Sequence, residues 1–246
     1  MRTRIIVPCY NEESRLDVAA FDAYLAAPAH AGVGFVLVND GSTEATLPVL
    51  RGLAARWPGR ASVIDQQPNR GKAEAVRVGM LSVRSGEADY FGYWDADLAT
   101  PLDAIDEFVA TLDAYPAVDI VIGARVALLG RQIQRRLARH YVGRLFATAA
   151  SLVLRLEVFD TQCGAKLLRC DARLQRLFDR PFGSRWIFDV ELLARYLAGA
   201  GTAAGIYELP LRRWTDVGKS RLKPADFLRA AAEMAAIYRE YRRAPR

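Results

Sequence analysis

An α/β fold built on a mixed, mostly parallel sheet with helices on both faces is what this sequence predicts, and two observations carry the prediction. Short apolar runs rich in Val, Ile and aromatics recur at 4–7, 34–38, 61–65, 90–94 and 119–122. Between them, 14–25, 43–56, 73–83 and 101–115 place apolar residues three and four apart, the spacing of one helical face. Strand and helix in alternation make crossover units, and crossovers make a parallel sheet.

The elements follow in order. Pro101 suits the first turn of the fourth helix, where its missing N–H costs nothing. After Gly123 the texture changes: a long helical pattern runs over 131–156, followed by a polar loop at 160–164 and a helix over 189–197. A strand over 206–211, a loop over 215–223 and a C-terminal helix over 224–241 complete the chain. No internal repeat, low-complexity tract or linker interrupts it, so residues 1–246 read as one domain.

A chain of 246 residues can bury one sizeable core, and 52% hydrophobic with 25% charged residues excludes a disordered or fibrous protein. Cys9, Cys163 and Cys170 are an odd set without zinc spacing, which fits a reducing compartment. Arg2 and Arg4 lead directly into a strand pattern rather than a secretory signal. The apolar stretch 145–154 is broken by Thr148 and Ser151 and falls far short of the roughly 20 residues that span a bilayer. A cytoplasmic protein without a transmembrane segment is expected.

The net charge of +6 is uneven, because 120–156 holds seven arginines (125, 131, 135, 136, 139, 144 and 155) and no Asp or Glu. Such a segment suits nucleic acid, anionic lipid or a phosphorylated ligand, and a solvated basic face is the plain alternative. Nucleic acid is disfavoured: the arginines are not interleaved with aromatics, and no zinc, RNP or helix-turn-helix signature accompanies them.

In open α/β sheets ligands bind beyond the carboxyl ends of the strands, so the strand ends belong together. They are "VPCYNEE" (7–13), "VNDGST" (38–43), "QPNRGKAEAV" (67–76), "YWDADLATP" (93–101) and "IGAR" (122–125). Asp95 and Asp97 flank Ala96 on the turn that ends a strand. There two carboxylates can converge on a hard divalent ion that takes oxygen ligands and leaves room for diphosphate. A helix-capping pair before Pro101 is the alternative. Lys72 follows Gly71 at a helix start, where free amides and the dipole favour an anion; a surface Gly-Lys turn is its alternative.

Taken in order, these segments resemble the family 2 glycosyltransferases of the GT-A, Rossmann-like fold. The likeness is nearest in the polyprenyl-phosphate branch, to dolichyl-phosphate β-glucosyltransferase-like proteins, and runs from Ile5 to about Leu222. "IIVPCYNEE" resembles the family's opening, "VNDGST" its base-binding acid, "NRGKAEAVRVGM" its N-x-G-K segment and "DADLATP" its D-x-D metal site. Further on, "DTQCGAKLL" (160–168), "FDVELL" (188–193) and "GKSRL" (218–222) resemble the branch's T-Q-C-G-F-K, F-D-x-E and G-x-S-K-L segments. Four positions depart from the pattern. Ala99 stands where mannosyl-transferring members have a metal-ligating Gln, and Leu98 replaces the glycine of D-A-D-G-A-T. Ala73 replaces a second glycine, and Arg221 replaces a lysine while keeping its charge.

The resemblance implies an inverting transfer of a hexose, glucose from UDP-glucose, to a polyprenyl phosphate. Residues 1–125 would form the nucleotide-sugar half, and 126–246 the acceptor side with the C-terminal helix. Pro8, Tyr10, Glu12, Val38 and Asp40 would line the nucleotide pocket, with Asp40 accepting N–H bonds from the base. Lys72, Asp95, Ala96 and Asp97 would face the diphosphate, and Asp95 and Asp97 would hold Mg²⁺ or Mn²⁺. Arg125, Arg135, Arg139, Ser220 and Arg221 would take the acceptor phosphate. Asp189 would orient arginines, or act as general base were the acceptor a hydroxyl; a helix-capping acid is its ordinary role. Gln162 and Lys166 are weaker candidates, and Cys163 reads as a small buried residue. The stripe Ile133, Leu137, Tyr141, Leu145, Ala149 and Leu152 fits a core-facing helix and also a membrane-surface helix, with peripheral attachment to the cytoplasmic face. The competing functions are a glycosyltransferase with a saccharide or small-molecule hydroxyl acceptor, and a non-catalytic nucleotide-sugar-binding partner. Oligomeric state is not legible.

Overall fold

In the computed structural model, Thr3–Cys9 (β1), Val33–Asp40 (β2), Ala61–Gln66 (β3) and Tyr90–Trp94 (β4) form the parallel half of a seven-stranded sheet. The structure describes residues 1–134, 137–217 and 224–241, and within them the side chains of all but 137–142, 200 and 224–228. Ile120–Ala124 (β5), Ala165–Arg169 (β7) and Ile206–Pro210 (β8) complete the sheet in the order β3-β2-β1-β4-β7-β5-β8. β7 runs antiparallel to both β4 and β5, and every other pairing in the sheet is parallel.

The two-residue period of β1 divides the core. Ile5, Val7 and Cys9 point to one face, covered by Val18–Ala26 (α1), Thr46–Arg56 (α2) and Ala104–Ala114 (α4). Ile6 points to the other, covered by Lys72–Ser82 (α3), Leu137–Leu154 (α5), Phe188–Arg195 (α7) and Pro224–Tyr241 (α8). Trp94, at the carboxyl end of β4, is fully buried edge-on against Phe108 of α4, their ring centroids 5.0 Å apart. It contributes roughly 2–3 kcal/mol of burial and fixes the turn that follows.

Several expectations are corrected here. The helix expected over 131–156 begins at Leu137, because Gln132–Gln134 (β6) pairs in parallel with Arg213–Thr215 (β9). The alternation Gln-Ile-Gln has a strand's period, with Ile133 packed against the core and its neighbours exposed. The stripe is not the core face of α5: of its members there with described side chains, Leu145 and Leu152 stand 75% and 73% exposed and Ala149 is partly buried, whereas the helix buries Ala147, Ala150 and Leu154 instead. Pro101 precedes its helix by three residues. β7 was not expected at all, and it is the strand that carries the "DTQCGAKLL" motif to the centre of the sheet. A short helix, Ala172–Gln175 (α6), follows it.

Candidate active site

β2 and β3 lie on one side of β1 and β4 lies on the other, so the strand order reverses between β1 and β4. That is where open sheets leave a crevice. A cleft of about 250 Å³ opens there, lined by Pro8 and Cys9 at the end of β1, Tyr10, Glu12 and Arg15 after it, Asp40 at the end of β2, Lys72 at the start of α3, and Asp95, Ala96 and Asp97 after β4. The sequence expectations for Pro8, Tyr10, Glu12, Asp40, Lys72, Asp95, Ala96 and Asp97 therefore meet in one place. Val38 does not join them; it is fully buried in the core beneath α3, its Cγ2 3.1 Å from where a Cβ on Gly79 would sit.

The Asp95–Asp97 segment is a built turn. Asp95 N–H donates to the carbonyl of Gly164 at 3.0 Å, Leu98 N–H to the carbonyl of Asp95 at 3.2 Å, and Ala99 N–H to Asp97 Oδ1 at 3.1 Å, with Leu98 at φ +50°. Neither carboxylate caps α4, whose N-cap position is Asp103. Gly164 has to be glycine, since a Cβ there would stand 1.8 Å from Asp95 Oδ2. The "DTQCG" loop thus packs directly on the acid that it follows by almost 70 residues in sequence.

Lys72 Nζ lies 2.5 Å from Asp95 Oδ1. Burial pulls the Lys72 ammonium toward neutrality, but the charges of Asp95, Asp189 and Asp97 outweigh it and its pKa rises. Asp97 is pushed upward by burial and then by the Asp95 charge. Glu12 is raised to about 7, first by burial, with Asp97, Glu44 and Asp95 adding to the rise against the pull of Arg15. Its Oε1 accepts from Arg15 Nη2 at 2.9 Å, while Oε2 is buried without a donor. The cleft therefore holds four acids, Glu12, Asp40, Asp95 and Asp97, against Lys72 and Arg15, and burial raises the pKa of two of them, Glu12 and Asp97. No cluster of three or more His, Cys, Asp or Glu is assembled as a metal cage among the described residues. What the cleft offers is a pair of oxygen donors short of positive charge, which suits a hard divalent ion that shares its remaining positions with a ligand.

The role given to Asp40 is corrected in one respect. A buried carboxylate needs donors, and the base was expected to supply them. Instead the 66–71 segment does: Oδ1 accepts Gln66 Nε2 at 2.5 Å and Arg70 N–H at 2.8 Å, and Oδ2 accepts Asn69 Nδ2 at 3.0 Å and Gly71 N–H at 2.8 Å. Four donors fill a carboxylate's capacity. Asp40 is the anchor of the loop that delivers Lys72, and Gly71, at φ +92°, makes the turn into α3.

Arg125, expected to take the acceptor phosphate, is already engaged. Its Nε and Nη2 grip Asp160 at 2.6 and 2.8 Å, and its guanidinium lies 5.3 Å from the Trp214 ring. That pairing, outweighing burial, raises the Arg125 pKa and lowers that of Asp160. Asp189 meets no arginine among the described residues. It is buried, and its Oδ1 accepts Lys166 Nζ at 2.5 Å and the Tyr93 hydroxyl. Lys166 is 0% exposed and also donates to the carbonyls of Thr161 and Cys163 at 3.0 and 2.8 Å, so all three of its protons are used. Arg135, Ser220 and Arg221 lie outside the described residues, as does the side chain of Arg139. Sequence reasoning missed Arg15, Tyr93 and Asp160. Arg15 was signalled by its i+3 spacing from Glu12, and Tyr93 and Asp160 lay inside quoted motifs without a charge partner in sequence to mark them.

Residues 4–175 match the family model for Glycosyl transferase family 2. Among curated relatives, a dolichyl-phosphate beta-glucosyltransferase of Drosophila melanogaster is 35% identical over 245 residues, covering 89% of this chain and 69% of that protein. The Homo sapiens protein of the same name is 31% identical, again over 89% and 69% of the two chains. Among solved structures, glucosyl-3-phosphoglycerate synthase from Mycobacterium tuberculosis, in complex with Mn²⁺, UDP and glucosyl-3-phosphoglycerate, superposes with a TM-score of 0.68 at 18% identity. It covers 100% of this chain and 81% of that one, and at this identity the likeness is one of fold.

Proposed function

The chain belongs to glycosyltransferase family 2, and from that premise we propose that it transfers glucose from UDP-glucose to a polyprenyl phosphate with inversion at the anomeric carbon. The observation that carries the proposal is the meeting of Asp95, Asp97 and the Lys72 ammonium in one cleft at the reversal of strand order. The relatives are named for a beta-glucosyl product, and UDP-glucose carries its glucose in α linkage, so one displacement with inversion joins the two. Residues 1–125 serve as the donor half, and 126–246 as the acceptor side.

In this reading the acceptor's phosphate oxygen attacks C1 of glucose from the face opposite the diphosphate. The C1–O bond to UDP breaks as the new one forms, and the electron pair leaves with UDP. A phosphate is already an anion near neutral pH, so no residue has to remove a proton. This agrees with an Asp189 committed to Lys166 and Tyr93. Asp97, assisted by Asp95, would hold Mg²⁺ or Mn²⁺, which when bound supplies the charge that the diphosphate needs as it departs. Lys72, on the first turn of α3, exchanges Asp95 for a diphosphate oxygen. Arg135, Arg139, Ser220 and Arg221 remain assigned to the acceptor phosphate through the family resemblance. No helix of the described residues is long and apolar enough to cross a membrane. Peripheral attachment is supported by α5, which turns Leu145 and Leu152 outward beside the exposed Arg144 and Arg155.

The test is transfer from UDP-glucose, with Mn²⁺ or with EDTA, to a short-chain polyprenyl phosphate and to free saccharides. A β-linked lipid product formed only with the metal is expected. Transfer to saccharides alone would overturn the acceptor, and a preference for GDP-mannose would overturn the donor.

A further inference from the structure

The segment between Pro181 and α7 presents two exposed side chains from a rigid base. Ser184 is buried; its N–H donates to Glu191 Oε2 at 3.0 Å, and its hydroxyl donates to Glu233 Oε2 of α8 at 2.5 Å while accepting Ile187 N–H at 2.8 Å. Ile187 is buried in the core on the α3 face. Arg185 and Trp186, between these anchors, are both exposed, Trp186 by 45%. The Arg185 guanidinium rests over Gly71: a Cβ placed on that glycine would lie 3.2 Å from Nη2 and 3.3 Å from Nε. It thus stands beside the residue that precedes Lys72, at the start of α3. Lys72 is held by Asp95 and Arg125 by Asp160, whereas Arg185 makes no ion pair among the described residues. The network at Ser184 thus holds a cation without an ion pair among the described residues beside Gly71, with an exposed indole next to it in sequence.

We infer that Arg185 and Trp186 form an entry clamp for the acceptor, with Arg185 binding its phosphate and Trp186 lying against the apolar chain attached to it. The inference rests on the proposed function in one respect, that the acceptor is a lipid phosphate. A guanidinium matches a phosphate by two parallel N–H donors, and an indole offers a large apolar face at little entropic cost. A cation beside an aromatic is the pairing that a phosphate ending an isoprenoid requires. A free diphosphate would use Arg185 alone.

The experiment compares wild type, Arg185→Ala, Arg185→Lys and Trp186→Ala in glucose transfer from UDP-glucose to a short-chain polyprenyl phosphate, alongside calorimetry of UDP with Mn²⁺. Losing charge-assisted bonds to a phosphate should raise the acceptor KM of Arg185→Ala roughly ten- to a hundredfold, with UDP affinity unchanged. Arg185→Lys should recover part of the loss, since it keeps the charge without the fork. Trp186→Ala should raise the same KM, and its effect should vanish when the acceptor is cut to a single isoprene unit. A fall in UDP affinity matching the loss in transfer would place Arg185 on the donor diphosphate and overturn the clamp. So would an acceptor KM unchanged in Arg185→Ala. Wild type that glucosylates no polyprenyl phosphate overturns the proposed function and the clamp together, and is thereby distinguished from failure of the clamp alone.

Discussion

Asp40→Asn separates an acid that reads the base from an acid that builds the loop. In the structure each carboxylate oxygen accepts one backbone N–H, from Arg70 or Gly71, and one side-chain amide, from Gln66 or Asn69. Asparagine turns one oxygen into a donor facing two donors. The side-chain amides can rotate to water, but the backbone N–H cannot, and an orphaned buried amide costs about 1–3 kcal/mol. The bonds that survive also lose their charge assistance, which brings the expected loss to roughly 2–4 kcal/mol. For a domain of this size that lowers Tm by roughly 4–16 °C. Thermal and urea unfolding of the ligand-free protein, followed by calorimetry of UDP-glucose, are the measurements. Stability should fall without any nucleotide present, and donor affinity should fall with it because Lys72 loses its mooring. Unchanged unfolding together with a large loss of UDP affinity would refute the loop anchor and return Asp40 to the base.

Three further outcomes follow from the same contacts. Glu12, held up to about 7 chiefly by burial, favours the fold in its neutral form, so its contribution is complete below the ordinary glutamate range and is lost as pH climbs through about 7. The loss is on the order of 3 kcal/mol at most, and urea midpoints at pH 5 and pH 8 should converge in Glu12→Gln; an unaltered pH slope would dismiss the effect. Lys166→Met strands the buried Asp189 carboxylate and should cost about 3–5 kcal/mol in denaturant unfolding, much of it recovered in Lys166→Met/Asp189→Leu; additive losses would show that the pair is not coupled. Asp97→Asn should abolish the dependence of UDP-glucose affinity on Mn²⁺, and wild-type affinity that is equal in EDTA would remove the metal.

The parallel half of the fold was legible because its strands other than the edge strand β3 are buried on both faces and its helices on one, so period and composition agree from Thr3 to Ala124. β7 was not, because "AKLLR" carries two charges where its sheet neighbours "YFGYW" and "IVIGA" carry none. Lys166 at its second position argues against a central strand until its three buried acceptors are known. Those acceptors come from its own preceding loop and from α7, and no local pattern reports them. β6 was lost to the helical stripe beside it, since three residues of alternation carry less signal than the eighteen residues of α5.

The site divides the same way. Position along the chain announced which residues would reach the rim, because strand ends in such a sheet converge whatever their sequence. It did not announce partners. Arg125 and Asp160 stand 35 residues apart, and Lys166 and Asp189 stand 23 apart; only the antiparallel return of β7 between β4 and β5 makes them neighbours. This pairing changes the chemistry that can be assigned to each group. A cation already held by an acid is no open phosphate site, so a donor entering the cleft must exchange contacts rather than add them. Taking Lys72 from Asp95 leaves two carboxylates facing a diphosphate, with Asp97 already pushed upward by burial and by Asp95. That exchange is favourable only if positive charge arrives with the donor, which is the physical reason for expecting metal and nucleotide to bind together.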